Sequence, residues 1–284
     1  MDVHLAQEAE FRVAIEGGFL VGDRGGDGPP ALVLHGGAAV PDYMGGCAAE
    51  LADLFTTLRY TQRGTPPSLA GPPYSIEQHA ADAVAVLDFF GVERAWLVGH
   101  SWGGHLALHL LCAHPERMAG AVCIDPLGAR PEIFRDADAN LRRGLAPEVV
   151  ARVDEVETLR REGRVTEDDL VERLRILWPQ YFGDRRARSE PPERVGMESS
   201  IGTNASIAEH FARGTLVEML PTVSVPVLFV HGELDPLPPE SSFQIAVLIP
   251  GARVKVVPGC GHFPWWERPG EIRRLVGEFL AGMQ

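Results

Sequence analysis

The strongest constraint on this chain lies at residues 99–104, whose sequence GHSWGG fits the pattern G-x-S-x-G. An apolar run with strand character, residues 95–98, precedes it, and residues 105–112 follow as a buried helix. A serine between a strand and a helix must occupy a tight turn, and the flanking glycines keep β-carbons out of that crowded space. The turn presents the hydroxyl at a helix N-terminus, where N–H groups stabilise an oxyanion. Ser101 is therefore the candidate nucleophile.

Strand patterns alternate with helical patterns on both sides of this motif. Strands that alternate with helices of this length indicate an α/β fold, with a mostly parallel sheet and helices on both of its faces. The predicted strands cover residues 11–16, 19–21, 31–35, 56–60, 95–98, 120–124, 225–230 and 252–257. The predicted helices around them cover residues 44–54, 75–90, 105–112, 240–248 and 269–280.

The alternation stops between residues 126 and 221. A helical block inserted into an α/β sheet is most simply a cap over the carboxyl edge of the strands, where ligands bind in such folds. We therefore expect a core of residues 1–125 and 222–284 and a helical cap of residues 126–221. The cap helices are predicted at residues 146–162, 166–181 and 204–220, with a polar, mobile loop at residues 185–192.

Composition restricts the partners of this chain. It has 26 basic and 39 acidic residues and a formal net charge of −13, which argues against binding to nucleic acid or to anionic membranes. No segment is long and apolar enough for a transmembrane helix, and residues 1–8 lack the features of a signal peptide. The four cysteines form no C-x-x-C pair, so a reduced cytoplasmic setting fits best.

The histidines do not predict a metal site. None has ligand spacing with cysteines or acids. His105 and His109, four residues apart on the helix that follows the strand–turn–helix elbow at Ser101, have no third ligand nearby in the sequence. Ordinary helix packing is the preferred interpretation of that pair. We expect neither a metal nor a cofactor, and a small-molecule substrate as the partner.

A serine nucleophile needs a base, and the base needs an acid that orients it. His262 follows a late predicted strand in a glycine-containing loop, and we expect it to be the base. Asp235 lies just past the strand that ends at residue 230 and is the preferred acid. Asp125, which directly follows another strand, competes for that role, and Glu233 is the third candidate.

An oxyanion hole and a pocket wall complete the predicted site. The N–H of Trp102, the residue after the nucleophile, and that of Gly37, in the loop after an early strand, are the expected oxyanion donors. Trp178, Tyr181 and Phe182 form an aromatic cluster midway through the cap. Two interpretations of this cluster are open: it lines an apolar pocket, or it packs the cap onto the core.

Five short motifs resemble the α/β-hydrolase superfamily over essentially the full length of the chain. The resemblance implies an eight-stranded, mostly parallel sheet with a helical cap after the sixth strand, and a triad in the order Ser, Asp, His. The motifs are HGG at 35–37, YTQRG at 60–64, GHSWGG at 99–104, HGELD at 231–235 and GHF at 261–263.

Three of these motifs, at residues 35–37, 62–64 and 101–104, look like those of the proline iminopeptidases. The chain departs from that pattern at four positions. Ala38 and Ala39 stand where that family has Pro-Gly, Thr61 stands where it has Asp, and Pro66 stands where it has Gly.

The sequence thus predicts a cofactor-free serine hydrolase that cleaves a small carboxylic ester or lactone. A proline iminopeptidase-like aminopeptidase is the alternative, and it would need cap carboxylates facing the pocket to hold a free amino group. The cap acids lie among arginines, as on a solvated helix face, so the ester or lactone is preferred. A second alternative is a non-catalytic ligand-binding protein, against which the complete triad argues.

Overall fold

The computed structural model describes residues 9–184 and 189–283. The prediction that residues 1–8 lack the features of a signal peptide and the predicted mobility of residues 185–188 concern residues outside the described ranges. The strands are β1 (Ala9–Ile15), β2 (Gly18–Gly25), β3 (Pro30–Leu34), β4 (Thr56–Tyr60), β5 (Leu69–Ala70), β6 (Ala95–His100), β7 (Met118–Ile124), β8 (Val227–Gly232) and β9 (Arg253–Val257).

These strands form one nine-stranded sheet. Eight follow the order β1-β2-β4-β3-β6-β7-β8-β9, and β5 pairs with β2 at the side. The strands β1 and β2 form an antiparallel hairpin, β2 is also antiparallel to β4, and every pair from β4 through β3 to β9 is parallel. The predicted α/β fold with a mostly parallel sheet is confirmed. The ninth strand, β5, was not predicted because two residues are too few to show a period.

Helices cover both faces of the sheet because successive side chains of a strand point to opposite sides. Leu97 packs in one buried cluster with residues of the helices Ile76–Phe89 and Trp102–Ala113. Trp96 and Val98, on the opposite face, pack in another cluster with residues of the helices Gly45–Glu50 and Glu271–Ala281. The core helices are α1 (Gly45–Glu50), α2 (Ile76–Phe89), α3 (Trp102–Ala113), α9 (Glu240–Ala246), α10 (Pro264–Glu267) and α11 (Glu271–Ala281).

Five helices occupy the interval between β7 and β8 that was predicted as the cap. The division into core and cap stays a prediction, but the helices themselves differ from those expected. Helix α4 (Glu132–Arg142) was not predicted, and α7 (Met197–Arg213) begins before residue 204. The single helix predicted for residues 204–220 is divided at Gly214 into α7 and α8 (Thr215–Met219). The helices are α4 (Glu132–Arg142), α5 (Pro147–Arg161), α6 (Glu167–Leu177), α7 (Met197–Arg213) and α8 (Thr215–Met219).

The early start of α7 has a tertiary cause. Its first turns contain serine, glycine and threonine, which are weak helix formers. The Ser199 hydroxyl donates to the carbonyl of Arg63 (3.0 Å), and Thr203 Oγ1 lies 3.0 Å from His79 Nε2. These contacts with the core hold the segment helical against its local preference. None of the described helices could cross a membrane.

Candidate active site

The chain turns sharply at Ser101, between β6 and α3. Its φ of 54° and ψ of −119° lie outside the regions that non-glycine residues favour. Its N–H donates to the carbonyl of Ile124 on β7 (2.9 Å), and its carbonyl accepts the N–H of His105 (3.0 Å). A β-carbon on Gly99 would lie 2.3 Å from the carbonyl oxygen of Gly103, so a side chain at Gly99 is excluded. This is the strained turn that the sequence predicts for a nucleophile.

The predicted base and the preferred acid are hydrogen-bonded to each other. His262 Nδ1 lies 2.7 Å from Asp235 Oδ2, and the carboxylate fixes the tautomer because it can only accept from Nδ1–H. The other oxygen, Oδ1, accepts the N–H of Leu237 (2.9 Å). Burial lowers the pKa of His262 to about 3 and raises that of Asp235 above its ordinary value.

Two side chains connect the loop of His262 to the strand that precedes Ser101. His100, the residue before Ser101, donates from Nε2 to the carbonyl of His262 (2.7 Å), and the two imidazole rings lie 4.4 Å apart. The hydroxyl of Tyr43 is 2.7 Å from His100 Nδ1 and donates to it. Sequence motifs do not single out Tyr43, because its partner lies 57 positions away along the chain.

Glu267 is a second functional candidate that the sequence does not reveal. Its Oε1 accepts the N–H of Gly261 (2.9 Å), and its Oε2 accepts those of Gly183 (2.8 Å) and Asp184 (3.0 Å). This buried carboxylate therefore joins the loop of His262 to the segment that follows α6. No local signal identifies it, since its acceptor role depends on contacts about eighty residues apart.

The predicted oxyanion donors lie on the same cavity as Ser101. Trp102 is the first residue of α3, and Gly37 has a positive φ of 62° in the loop after β3. A buried side-chain network connects the two regions. Trp102 Nε1 donates to Gln62 Oε1 (2.8 Å), and Gln62 Nε2 donates to the carbonyl of His35 (2.8 Å). The oxyanion roles themselves stay predictions.

The cavity in front of Ser101 has a volume of about 900 Å³, within the range of small-molecule sites. Tyr181 lines it, whereas Trp178 and Phe182 are not among its described lining residues, which favours the second interpretation of these two rings, packing of the cap onto the core. Both rings pack instead against Phe263, at 5.0 and 5.1 Å, and Trp178 Nε1 donates to the carbonyl of Ser189. The apolar lining includes Val40, Leu127, Phe134, Leu170, Ile207 and Phe211.

The described carboxylates on the cavity wall are all paired with arginines. Glu157 lies 2.6 Å from Arg173 Nε and 3.2 Å from Arg160 Nε. Asp138 and Asp154 both pair with Arg142, each at 2.7 Å. Elsewhere in the interval between β7 and β8, Arg152 pairs with Glu155, Asp169 and Glu172, and Arg213 pairs with Glu209. The cavity wall that the structure describes thus offers an incoming amine no carboxylate without a cation beside it.

Two buried groups bring histidine and aspartate atoms within 4.8 Å of one another: His100, Asp125 and His262, and Asp125, His231 and Asp235. His100 Nε2 and His231 Nε2 each lie 2.7 Å from a backbone carbonyl, which can only accept. These nitrogens therefore carry protons and offer no lone pair to an ion. Both groups are better described as hydrogen-bond networks than as metal sites.

The pair His105 and His109 has a third histidine beside it, which the sequence did not reveal. The ring of His210 lies 4.9 Å from that of His109, which in turn lies 5.0 Å from His105. His210 already uses both nitrogens, toward Thr215 Oγ1 (3.1 Å) and Glu77 Oε1 (3.0 Å). The cluster packs α3 against α7, and the absence of a metal there stays a prediction.

Comparison with known proteins agrees with this architecture. Residues 31–275 match the family described as the alpha/beta hydrolase family. The chain is 28% identical over 270 residues to a 2-hydroxymuconate semialdehyde hydrolase of Pseudomonas putida, covering 90% of this chain and 88% of the relative. It is 23% identical over 275 residues to a proline iminopeptidase of Heyndrickxia coagulans, covering 91% and 92%. A solved structure described as Est816, an N-acyl homoserine lactone degrading enzyme, is 28% identical with a TM-score of 0.69 and covers 95% of this chain and 100% of that one.

Replacing Glu267 by glutamine should weaken both the fold and the site, because the amide nitrogen cannot accept an N–H. We expect the free energy of unfolding to fall by about 1–3 kcal/mol and turnover to fall with it. Glu233→Gln is the matched control, since exposed Glu233 accepts a single N–H, that of Gly259. Urea titration and kcat measurements check this, and an equal loss in both variants would contradict it.

Proposed function

Because this chain belongs to the alpha/beta hydrolase family, we propose that it is a cofactor-free serine hydrolase that cleaves a small carboxylic ester or lactone. The observation that carries the proposal is the 2.7 Å hydrogen bond from His262 to Asp235, in a loop bound directly to the strand that presents Ser101. A base with its acid, next to a strained serine on a cavity, is the arrangement that nucleophilic acyl transfer requires.

The proposed reaction proceeds through an acyl-enzyme. The Ser101 hydroxyl attacks the substrate carbonyl while His262 Nε2 takes its proton, and Asp235 stabilises the resulting imidazolium. The N–H groups of Trp102 and Gly37 stabilise the oxyanion. The imidazolium returns its proton to the leaving alkoxide. Water, activated by the same base, then releases the acyl group as a carboxylic acid.

The aminopeptidase alternative has less support from the cavity. An enzyme that recognises a free N-terminal proline must hold its ammonium group, and the described cavity carboxylates Asp138, Asp154 and Glu157 already pair with arginines. The apolar lining suits a neutral acyl group better. A non-catalytic binder remains the second alternative, but binding alone would need neither the strained serine nor the oriented histidine.

Replacing Ser101 by alanine should abolish turnover, because it removes the attacking oxygen while the backbone turn remains. We expect kcat to fall by more than about 10⁴-fold, and Asp235→Asn to lower it by about 10³–10⁴-fold. A fluorophosphonate should label the parent protein and the control Ser224→Ala, whose serine is exposed, but not Ser101→Ala. Hydrolysis by Ser101→Ala at the parent rate, or labelling elsewhere, would contradict the assignment.

The pH dependence should report the burial of His262. The loop position alone suggests an ionisation near neutral pH, but burial lowers the pKa of His262 from its ordinary 6.5 to about 3. The base must be neutral to accept a proton, so activity is lost as the pH falls through that pKa. We expect the acid limb of kcat/KM to lie below pH 6.5, with a plateau above it. A limb centred above the ordinary histidine value would contradict this.

Substrate preference should distinguish the proposed esterase or lactonase activity from the aminopeptidase alternative. We expect kcat/KM for short-chain p-nitrophenyl esters or a lactone to exceed that for proline p-nitroanilide by more than about tenfold. N-acetylproline p-nitroanilide is the matched control, because it lacks the free amine. A preference for the proline amide that disappears on acetylation would instead support the aminopeptidase.

A further inference from the structure

A second carboxyl group lies beside the candidate triad. Asp125 directly follows β7, has a φ of 45° and is fully buried. Atoms of its carboxyl, of His231 and of Asp235 lie within 4.8 Å of one another, and the same holds for Asp125, His100 and His262. Two aspartates from different strand ends therefore share one desolvated site with the base.

The hydrogen-bond donors around the two aspartates are unequal. Asp235 accepts from His262 Nδ1 (2.7 Å) and from the N–H of Leu237 (2.9 Å). Asp125 Oδ1 accepts the N–H of Gly232 (2.7 Å), and its Oδ2 accepts no N–H or O–H group of the described residues. Two carboxyl groups with oxygens within 4.8 Å of each other in a buried site do not both ionise, and the one that accepts more hydrogen bonds keeps the negative charge. The shared proton therefore belongs on Asp125.

His231 does not supply a compensating positive charge. Its Nε2 lies 3.6 Å from Asp125 Oδ1 and 3.5 Å from Asp235 Oδ2, but it donates to the carbonyl of Leu237 at 2.7 Å. Its Nδ1 lies 2.8 Å from Ser242 Oγ, so neutral hydrogen bonds satisfy both ring nitrogens. Burial lowers the pKa of His231 to about 4, which leaves the ring uncharged near neutral pH.

We propose that Asp125 is a positioning residue: a neutral acid that donates a hydrogen bond to the Asp235 carboxylate and fixes it against His262. This inference rests on the proposed triad. The bond holds Asp235 in the orientation that His262 needs. It also withdraws negative charge from Asp235, so His262 is less basic than it would be beside a carboxylate without that donor.

Several titratable groups face Asp125 from the elements around it. Burial is the main cause that raises the pKa of Asp125 far above its ordinary 3.8, and the negative charge of Asp235 adds to it. Glu267 acts in the same direction. The neutral groups in its surroundings are His100, His231, His262, Cys260 and Tyr43.

Infrared spectroscopy tests the protonation state without reference to activity. Near neutral pH the parent protein should show the C=O stretch of a buried protonated carboxyl, with a shift in D₂O, and Asp125→Asn should lose it. Asp88→Asn, at a surface carboxylate paired with Arg117, is the matched control and should retain the band. A band that survives in Asp125→Asn would overturn the proposal even if the protein is an active hydrolase.

Kinetics test the positioning role. Asparagine at position 125 can still donate to Asp235 and accept from Gly232, whereas alanine can do neither. We expect Asp125→Asn to lower kcat by less than about tenfold with the acid limb of kcat/KM in place. Asp125→Ala should lose more and move that limb to higher pH. A loss in Asp125→Asn as large as in Asp235→Asn would make Asp125 the ionised acid and overturn the proposal.

The two experiments separate the possible failures. If Asp125→Asn loses the infrared band while Ser101→Ala keeps full activity, the proposed function is wrong but the assignment of the proton to Asp125 stands. Identical kcat and pH profiles for Asp125→Asn and Asp125→Ala would overturn the donor role. If the alanine variant does not fold, the infrared band and the ranking of Asp125→Asn against Asp235→Asn still decide the question.

Discussion

The left-handed backbone of Ser101 is the constraint on which the rest of the site depends. A non-glycine residue at φ 54° is strained, and such strain persists only where the surroundings over-determine it. Here the carbonyl of Ile124 on β7 accepts the Ser101 N–H. On the helix that follows, a side chain at Gly103 is sterically excluded, because its β-carbon would lie 2.1 Å from the carbonyl oxygen of Leu34 on β3. The three central strands β3, β6 and β7 therefore fix the backbone of Ser101 independently of His262 and Asp235.

The site also depends on a buried network of hydrogen bonds around His262, in which each donor of Tyr43, His100 and His262 faces an acceptor. Desolvation strengthens each hydrogen bond inside the site and makes an unpaired charge costly. The Tyr43 hydroxyl donates to His100, and His100 donates to the carbonyl of His262, so this chain of hydrogen bonds fixes the backbone that carries the imidazole. Asp235 then sets its tautomer from one side. The basicity of His262 is thus a property of the buried network, and it differs from that of a free loop histidine.

The sequence could predict those features whose cause is local. The period of the strands, the glycines at the elbow and the loop positions of His262 and Asp235 are each readable within a few residues. Tyr43, Gln62 and Glu267 act across 57, 40 and 84 positions, so only the folded chain brings them to the site. Likewise the direction of the Trp178 ring depends on Phe263, and the start of α7 depends on core contacts that override helix propensity.

The segment that follows α6 is hydrogen-bonded to the loop of His262 and to Glu267. The N–H of His262 donates to the carbonyl of Tyr181 (2.7 Å), and Tyr181 also lines the cavity, so one residue contacts both the cavity and the loop of His262. Glu267 adds hydrogen bonds to Gly183 and Asp184 on the same segment. Under the proposed function, a badly fitting acyl group that displaces this segment would therefore also displace His262 from its position beside the turn at Ser101. Under the proposed function, selection of the substrate and orientation of His262 then depend on the same hydrogen bonds, which ties specificity to turnover as well as to binding.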